Sequence, residues 1–416
     1  MDIRDELKQR FFRYLAVESQ SDARSTSLPS TQGQQRLAAL LASELQELGL
    51  EDIVLDDHAT VTAVRRGKRP GSPKIGFIAH LDTVDVGLSP IIRPQVLRFE
   101  GGDICLNADE DIWLRIAEHP EIMQWSGQDI IFSDGTSVLG ADNKAAIAVI
   151  MTLLARLPPD RDHSDIHVAF VPDEEIGLRG AKALDLARFA CDFAYTIDCC
   201  ELGEVVLETF NAASAEIVFT GVSAHPMSAH GVLVNPLLMA ADFIAGFDRN
   251  DTPERTKGRQ GFFWFKDLVS NDQEARLTVL LRDFDEDGLT KRKERLEEAV
   301  SHTAAQYPSA KASCTITDTY SNIAQSMKAD ARPAELLFSV LEALNIAPKI
   351  APMRGGTDGS VLSEKGIPTP NFFTGAHNFH SIFEFLPFCA FEKSYELAIL
   401  LCILQEHATD ALKLRT

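Results

Sequence analysis

Residues 171–180 read VPDEEIGLRG. An apolar run of strand length, starting near Asp165, leads into them, and two glutamates, Glu174 and Glu175, stand side by side where it ends. Neighbouring side chains on a strand face opposite ways, so a strand gives such a pair no shared surface. Either the pair is a solvated acidic turn, or two carboxylates do different jobs at one site. The rest of the chain has to decide.

The strand before this stretch is one of several. KIGFIAHLD (74–82), DIIFSD (129–134), DIHVAFVPDEE (165–175) and FAYTID (193–198) read as strands, while residues 32–48 and DNKAAIAVIMTLLARL (142–157) carry helical apolar spacing, with Ser30 or Thr31 as caps for the first helix. Buried strands alternating with helices predict an α/β domain with a mainly parallel sheet. Near residue 210 the texture changes. AASAEIVFTGV, EARLTVLLRDF and AKASCTITDTY alternate with helical patterns at 233–247 and 289–306, which predicts a smaller α+β unit of antiparallel strands. The α/β texture then returns and closes with a helix over about 392–413. The expected organisation is a discontinuous domain of residues 1–210 and 324–416, interrupted by an inserted unit at 211–323.

Composition narrows the function. The chain has 416 residues, 45% apolar and 24% charged, in the range of globular proteins. A formal net charge of −21 argues against nucleic acid and anionic membrane as partners, since both would repel it. The start, MDIRDELKQRFFRYLAV, lacks the apolar core of a signal peptide, and the longest apolar runs are too short to span a bilayer. Seven cysteines, an odd number without a CxxC pair, do not form a disulfide pattern. A cytoplasmic location is the expectation.

The α/β strands run into metal-binding residue types: His80 and Asp82 in IAHLD, Asp142 in VLGADNK, Glu174 and Glu175, Asp198 in YTID, and His380 in GAHNFH. Each alone has a plain explanation. A histidine at a strand end is usually a satisfied polar residue, Asp142 before a helix is by default an N-cap, adjacent glutamates are by default solvated, and Asp198 could begin a turn. Recurrence at successive strand ends changes that, because ligand sites in open α/β sheets lie beyond the carboxyl ends of strands. Zinc takes imidazole nitrogen and carboxylate oxygen. Two zincs roughly 3.5 to 4 Å apart need a bridging ligand with two donor atoms, and a carboxylate at a helix start, Asp142, suits that task. His80 and Asp82 share strand period two, so Asp82 can orient the imidazole. One of Glu174 and Glu175 can then bind metal while the other takes a proton from water acidified toward a pKa of about 7. The residues alone do not say which.

Together HLDTVD (80–85), VLGADNKAA (138–146), PDEEIG (172–177), GVSAHP (221–226), RGGTDG (354–359) and NFFTG..NFH (371–380) resemble the peptidase T family of aminotripeptidases, in the di-zinc exopeptidase superfamily. PSTQGQ (29–34), NAASA (211–215), TPERTKG (252–258) and RDFD (282–285) extend the likeness over the whole chain. The resemblance implies two Zn2+ ions per chain, with Co2+ or Mn2+ as substitutes. His80, Asp142 and Asp198 would hold one, and Asp142, Glu175 and His380 the other, with Asp142 bridging. Glu174 would be the general base and Asp82 the support of His80. The insert looks like the family's lid or dimerisation domain, which implies a homodimer. His225 would assist at the substrate carbonyl, and Asn235, Arg282 and Arg354 match positions facing the substrate cleft.

The chain departs from the family in places. Cys199 and Cys200 replace two small residues, commonly glycines, and read as buried small side chains, although a thiol beside zinc can also be a soft ligand. SIFEF follows His380 where a glycine-basic pair is commoner, and HPMSAHG replaces the family's HPGTAKG. The expected activity is zinc-dependent release of the N-terminal residue of tripeptides. A second reading is a related di-zinc dipeptidase or acyl-amino-acid deacylase with the same ligands. A third is an inactive peptide-binding protein, which would be expected to lack a ligand or the base; here all are present.

Overall fold

The computed structural model describes residues 2–68, 71–157 and 163–403, which form two units. The first comprises Met1–Leu207, Ile323–Ala351 and Thr357–Thr416. The second comprises Glu208–Asn322 and Pro352–Gly356. The loop bearing Arg354 therefore goes with the second unit. Its guanidinium explains why: it donates to the carbonyls of Gly258 and Gln260 and to Thr256 Oγ1, and lies against the rings of Phe210 and Phe262.

The first unit is built on an eight-stranded sheet, in spatial order Glu51–Leu55, Val61–Arg65, Ile166–Val171, Ile75–His80, Phe193–Cys199, Asn371–Phe373, Glu204–Val206, Lys349–Ile350. The four strands from Ile166–Val171 to Asn371–Phe373 run parallel. Val61–Arg65 joins antiparallel on one side and Glu204–Val206 on the other, so the sheet is mixed, with a parallel centre. Ile75–His80 and Ile166–Val171 are buried along their whole length, as strands covered on both faces must be. The Ala141–Arg156 helix is apolar almost all round, and that is why it runs through the core rather than over it. The DIIFSD strand is real but lies elsewhere. Gln128–Phe132 is the middle strand of a separate antiparallel sheet, between Gln95–Phe99 and Phe385–Pro387. Its own small core of Phe99, Trp125, Ile130, Phe132 and Phe385 holds the chain that leads out of His380. The last helix runs Phe388–Ile403, and the rest of the expected helix to 413 lies outside the described residues.

In the second unit Phe262–Ser270, Glu274–Asp283, Asn211–Thr220 and Lys311–Tyr320 make one antiparallel sheet. Ala213, Ala215, Ile217 and Phe219 alternate onto one face, as period two requires. The helices Pro236–Ala245 and Glu286–Gln306 cover that face with Met239, Phe243, Leu289, Leu296 and Val300.

Candidate metal centre

The parallel centre of the sheet sets where the acidic residues go. His80 ends its strand, Asp198 is the penultimate residue of Phe193–Cys199, and the paired glutamates follow Val171. These three ends lie on one side of the sheet because the strands run parallel. Asp142 and His380 arrive differently: Asp142 in the first turn of the Ala141–Arg156 helix, His380 on a loop after Phe373, in the left-handed region at φ 62°.

Asp142 is not the N-cap of its helix. Gly140 occupies that position at φ 73°, and a side chain there would press on Ile92 and Thr83. The helix amides are served from far away. The carboxylate of Glu384 accepts from the N–H groups of Gly140 at 2.9 Å, Ala141 at 2.8 Å and Asp142 at 3.3 Å. This leaves the Asp142 side chain free to face the site. Its Oδ1 lies 2.9 Å from His80 Nε2 and its Oδ2 3.0 Å from His380 Nε2. One carboxylate thus spans two imidazoles, one oxygen to each.

The paired glutamates do not sit on a strand. The strand stops at Val171, and Asp173 turns the chain at φ 57°. A tight turn follows, in which Gly177 and Leu178 N–H both donate to the Glu174 carbonyl. Gly180 closes it by donating to the Pro172 carbonyl at 2.9 Å, and a Cβ at that position would lie 2.3 Å from the same oxygen. Released from strand alternation, Glu175 Oε1 comes to 2.9 Å from His380 Nε2. The Asp82 carboxylate accepts from Glu174 N–H at 3.0 Å and Glu175 N–H at 3.2 Å. Asp82 also supports His80, whose Nδ1 lies 3.0 Å from its carbonyl and 3.4 Å from its Oδ1. Nδ1 is the donor there, so Nε2 is left to face Asp142. Asp198 joins through Asn143, whose amide donates to Asp198 Oδ1 at 3.1 Å and to the Ile197 carbonyl at 2.8 Å.

The electrostatics call for cations. Burial would raise the Asp142 carboxyl, but His380 and His80 outweigh it and hold it well below the carboxylate range. Burial would likewise depress both imidazoles, yet Asp142 and its acidic neighbours hold His80 well above its usual value and carry His380 to about 11. The other acids are forced the opposite way. Burial, then repulsion from Asp142, lifts Asp198 well up and Glu175 to about 7. Burial, with Asp198, Asp358 and Glu175 nearby, lifts Glu174 strongly. Ionised together, these carboxylates would repel one another in a buried space. Oδ1 of Asp358 is buried without a hydrogen bond, and the buried Glu175 Oε1 has His380 Nε2, 2.9 Å away, beside it. Ligand atoms of His80, Asp142 and Glu175 all lie within 4.8 Å of one another. Buried carboxylate oxygens clustered with imidazole nitrogens are the donor set of a divalent metal centre, and these residues fit one.

Three contributors escape a local reading of the sequence. Asp358 lies in the RGGTDG motif, where Arg354 draws attention first; it is 2% exposed, and burial takes its carboxyl to about 7. Glu384 lies in SIFEF, read above only as a departure. Asp173 sits beside the glutamates but turns away from them to Ser30 and Gln34. Cys199 and Cys200 are not ready ligands, because burial pushes both thiols up and keeps them protonated. All seven cysteines are free.

His225, Asn235, Arg282 and Arg354 all belong to the second unit. His225 is exposed and Nδ1 accepts from Met227 N–H, while Asn235 caps the Pro236–Ala245 helix through Leu237 N–H. Arg282 donates to the Ala213 and Leu281 carbonyls and lies over the Tyr320 ring.

Residues 140–402, which carry the helix of Asp142, the glutamate turn and His380, match the Peptidase family M20/M25/M40, and the chain belongs to that family. Among its relatives, a Peptidase T-like protein of Rhizobium meliloti (strain 1021) is 67% identical over 97% of this chain and 98% of its own. The Peptidase T of Aeromonas hydrophila is 40% identical over 94% of this chain and 96% of its own. The fold is shared with aminopeptidase PepT from Bacillus cereus ATCC 10987, at a TM-score of 0.72 and 21% identity, covering 96% of this chain and 98% of that one.

Proposed function

We propose that the chain is a zinc-dependent aminopeptidase that releases the N-terminal residue of tripeptides. One observation carries the reading: Asp142 sets one oxygen against His80 and the other against His380, the placement a carboxylate needs to serve two ions. Similarity to proteins named Peptidase T and to a solved aminopeptidase supports the peptide substrate. His80, Asp142 and Asp198 would hold one ion, and Asp142, Glu175 and His380 the other, with zinc as the metal and cobalt or manganese able to replace it. Bound there, the ions would polarise the scissile carbonyl and acidify water.

The chain's own residues do the rest. Glu174 takes a proton from the water as its oxygen adds to the carbonyl carbon, then passes it to the departing nitrogen as the C–N bond breaks. Burial and neighbouring carboxylates raise its proton affinity. Asp82 fixes His80 and, through two amides, the turn that carries Glu174. In the second unit, read as lid and dimerisation domain, His225 would polarise the carbonyl while Asn235, Arg282 and Arg354 would meet the peptide. Exposed Met227, Leu238, Trp264 and Val269 on that unit support pairing with a second copy. Free cysteines fit a reducing, cytoplasmic setting, and no helix among the described residues is long and apolar enough to cross a membrane.

The test is turnover of free di-, tri- and tetrapeptides and of acyl-amino acids by metal-depleted and zinc-restored protein. Tripeptides should be cleaved best, and only after metal is restored. Preference for dipeptides or acyl-amino acids would assign the second reading, and inertness towards all of them would leave peptide binding.

A further inference from the structure

The PSTQGQ segment, residues 29–34, lies far in sequence from every residue given a role above, yet it ends against the glutamate turn. Gln34 and Asp173 are both wholly buried and form a reciprocal pair. Gln34 Nε2 donates to Asp173 Oδ1 at 2.6 Å, and Gln34 Oε1 accepts from Asp173 N–H at 2.9 Å. Ser30 completes the clasp: its N–H reaches Asp173 Oδ2 at 2.8 Å and its hydroxyl Oδ1 at 2.5 Å. From the other side Arg179 stands 3.4 Å from Oδ2.

The clasp acts on one backbone feature. Asp173 holds φ 57°, a left-handed conformation that a non-glycine residue keeps only where its surroundings impose it. That single residue breaks strand alternation just before Glu174. Successive amides are then fully assigned, Asp173 N–H to Gln34 and those of Glu174 and Glu175 to Asp82. Two side chains from two separate segments therefore dictate where both glutamate side chains begin. Charge-assisted bonds of this length in a dry interior are strong and directional.

We infer that Gln34 and Asp173 are positioning residues, a buried clasp that sets the turn on which Glu174 and Glu175 reach the metal centre. The inference rests on the function proposed above for those glutamates. It accounts for the glutamine at the end of segment 29–34: a primary amide can donate to the Asp173 carboxylate and accept from its N–H at once.

The pair allows an exchange of chemistry between its two positions. Gln34→Glu sets carboxylate against carboxylate, and Asp173→Asn sets amide against amide. The double variant Q34E/D173N restores one acid facing one amide, with the backbone N–H of residue 173 still accepted and the net charge unchanged. Each single variant is expected to lower kcat for trialanine by about 10- to 100-fold, the order that a misplacement near 1 Å costs, with KM changed far less. Each should also alter the visible spectrum of the cobalt-loaded protein, since Glu175 is a ligand on that turn. The double variant should recover both properties. Gln34→Met, which removes the pairing without adding charge, serves if a single variant does not fold. Folded single variants with wild-type kcat and cobalt spectrum would overturn the inference, as would a folded double variant no better than the worse single. If wild type binds cobalt but leaves trialanine intact, the peptidase reading fails, and the spectra of the same variants still decide the clasp. If wild type binds no cobalt, both fall.

Discussion

Glu384 caps the helix of Asp142: its Oε1 accepts from the N–H of that residue at 3.3 Å and from the preceding amide at 2.8 Å, while Oε2 takes the N–H of Gly140. The cap and the second imidazole arrive on one short segment, since His380 lies only four residues before Glu384. An amide at position 384 would turn an NH2 group toward at least one of these donors. Because Asp142 faces both imidazoles, Glu384→Gln should weaken both ions, by about 10- to 100-fold in affinity, the usual cost of losing a group that orients a ligand. Equilibrium dialysis with elemental analysis reads this directly. Two ions held at wild-type affinity would show that the cap does not set the bridge.

The paired glutamates should separate cleanly. Glu174→Gln removes the proton acceptor and keeps the ligands, so two ions should remain while kcat falls by at least about 10²- to 10⁴-fold. Glu175→Gln removes the oxygen beside His380 and should cost chiefly one ion. Metal content and turnover, measured on the same preparations, distinguish the roles. Exchanged phenotypes would invert the assignment, and two active variants would move the site elsewhere.

Metal binding should release protons. Without metal, His380 keeps its proton to about 11 and Glu175 to about 7, both raised above their ordinary values by their surroundings. A raised value means the group stays protonated until the pH passes it, and an ion must displace that proton. Near pH 6 both groups, and His80 with them, are protonated, so binding should release more than one proton per chain. Affinity should climb as pH rises through about 7 and Glu175 gives up its proton unaided. Calorimetry in buffers of different ionisation enthalpy counts the protons. Binding that releases none, with affinity flat from about pH 6 to about pH 8, would mean that these residues are not the ligands.

The legible parts of this fold are those written in local pattern. The Ala141–Arg156 helix announces itself by being apolar almost all round, and the strands ending at His80 and Val171 by mostly apolar runs of strand length. Residues at those strand ends were visible as candidates for the same reason. What stayed hidden is non-local. Glu384 meets Gly140 across 244 positions and Gln34 meets Asp173 across 139, and no periodicity connects such partners. The mixed character of the sheet was hidden too, because Glu204–Val206 and Lys349–Ile350 are too short to show a period. An N-cap is the plain alternative for Asp142 because caps are normally local; the actual cap comes from the far end of the chain.

The last prediction concerns how a tripeptidase would read the carboxylate end of its substrate. The first unit concentrates acids around the candidate metals, which suits an amine terminus and repels a carboxylate. A cation must serve that end, and Arg282 and Arg354 of the second unit are the candidates, since guanidinium grips carboxylate with two parallel bonds. Both also hold protein. Arg354 ties its loop to Thr256, Gly258 and Gln260, and Arg282 crosses the Ala213 and Leu281 carbonyls. Removing either can therefore loosen the second unit as well as the substrate, and melting temperature must be measured beside kinetics. The substrate reading predicts that a tripeptide with a free carboxylate is cleaved far better than its amide. It predicts that replacing the responsible arginine by alanine erases most of that preference, at about 2 to 5 kcal/mol in kcat/KM for the acid if the pair is desolvated, and leaves the amide nearly unchanged. Loosening of the unit would instead slow acid and amide alike. His225→Ala should also slow both alike, but with the melting temperature held, because an exposed imidazole acting at the carbonyl does not read the terminus. Steady-state kinetics on the acid and amide pair for wild type and the three variants separates these outcomes. Equal cleavage of acid and amide by wild type would leave both arginines as structural residues and the enzyme as a general aminopeptidase.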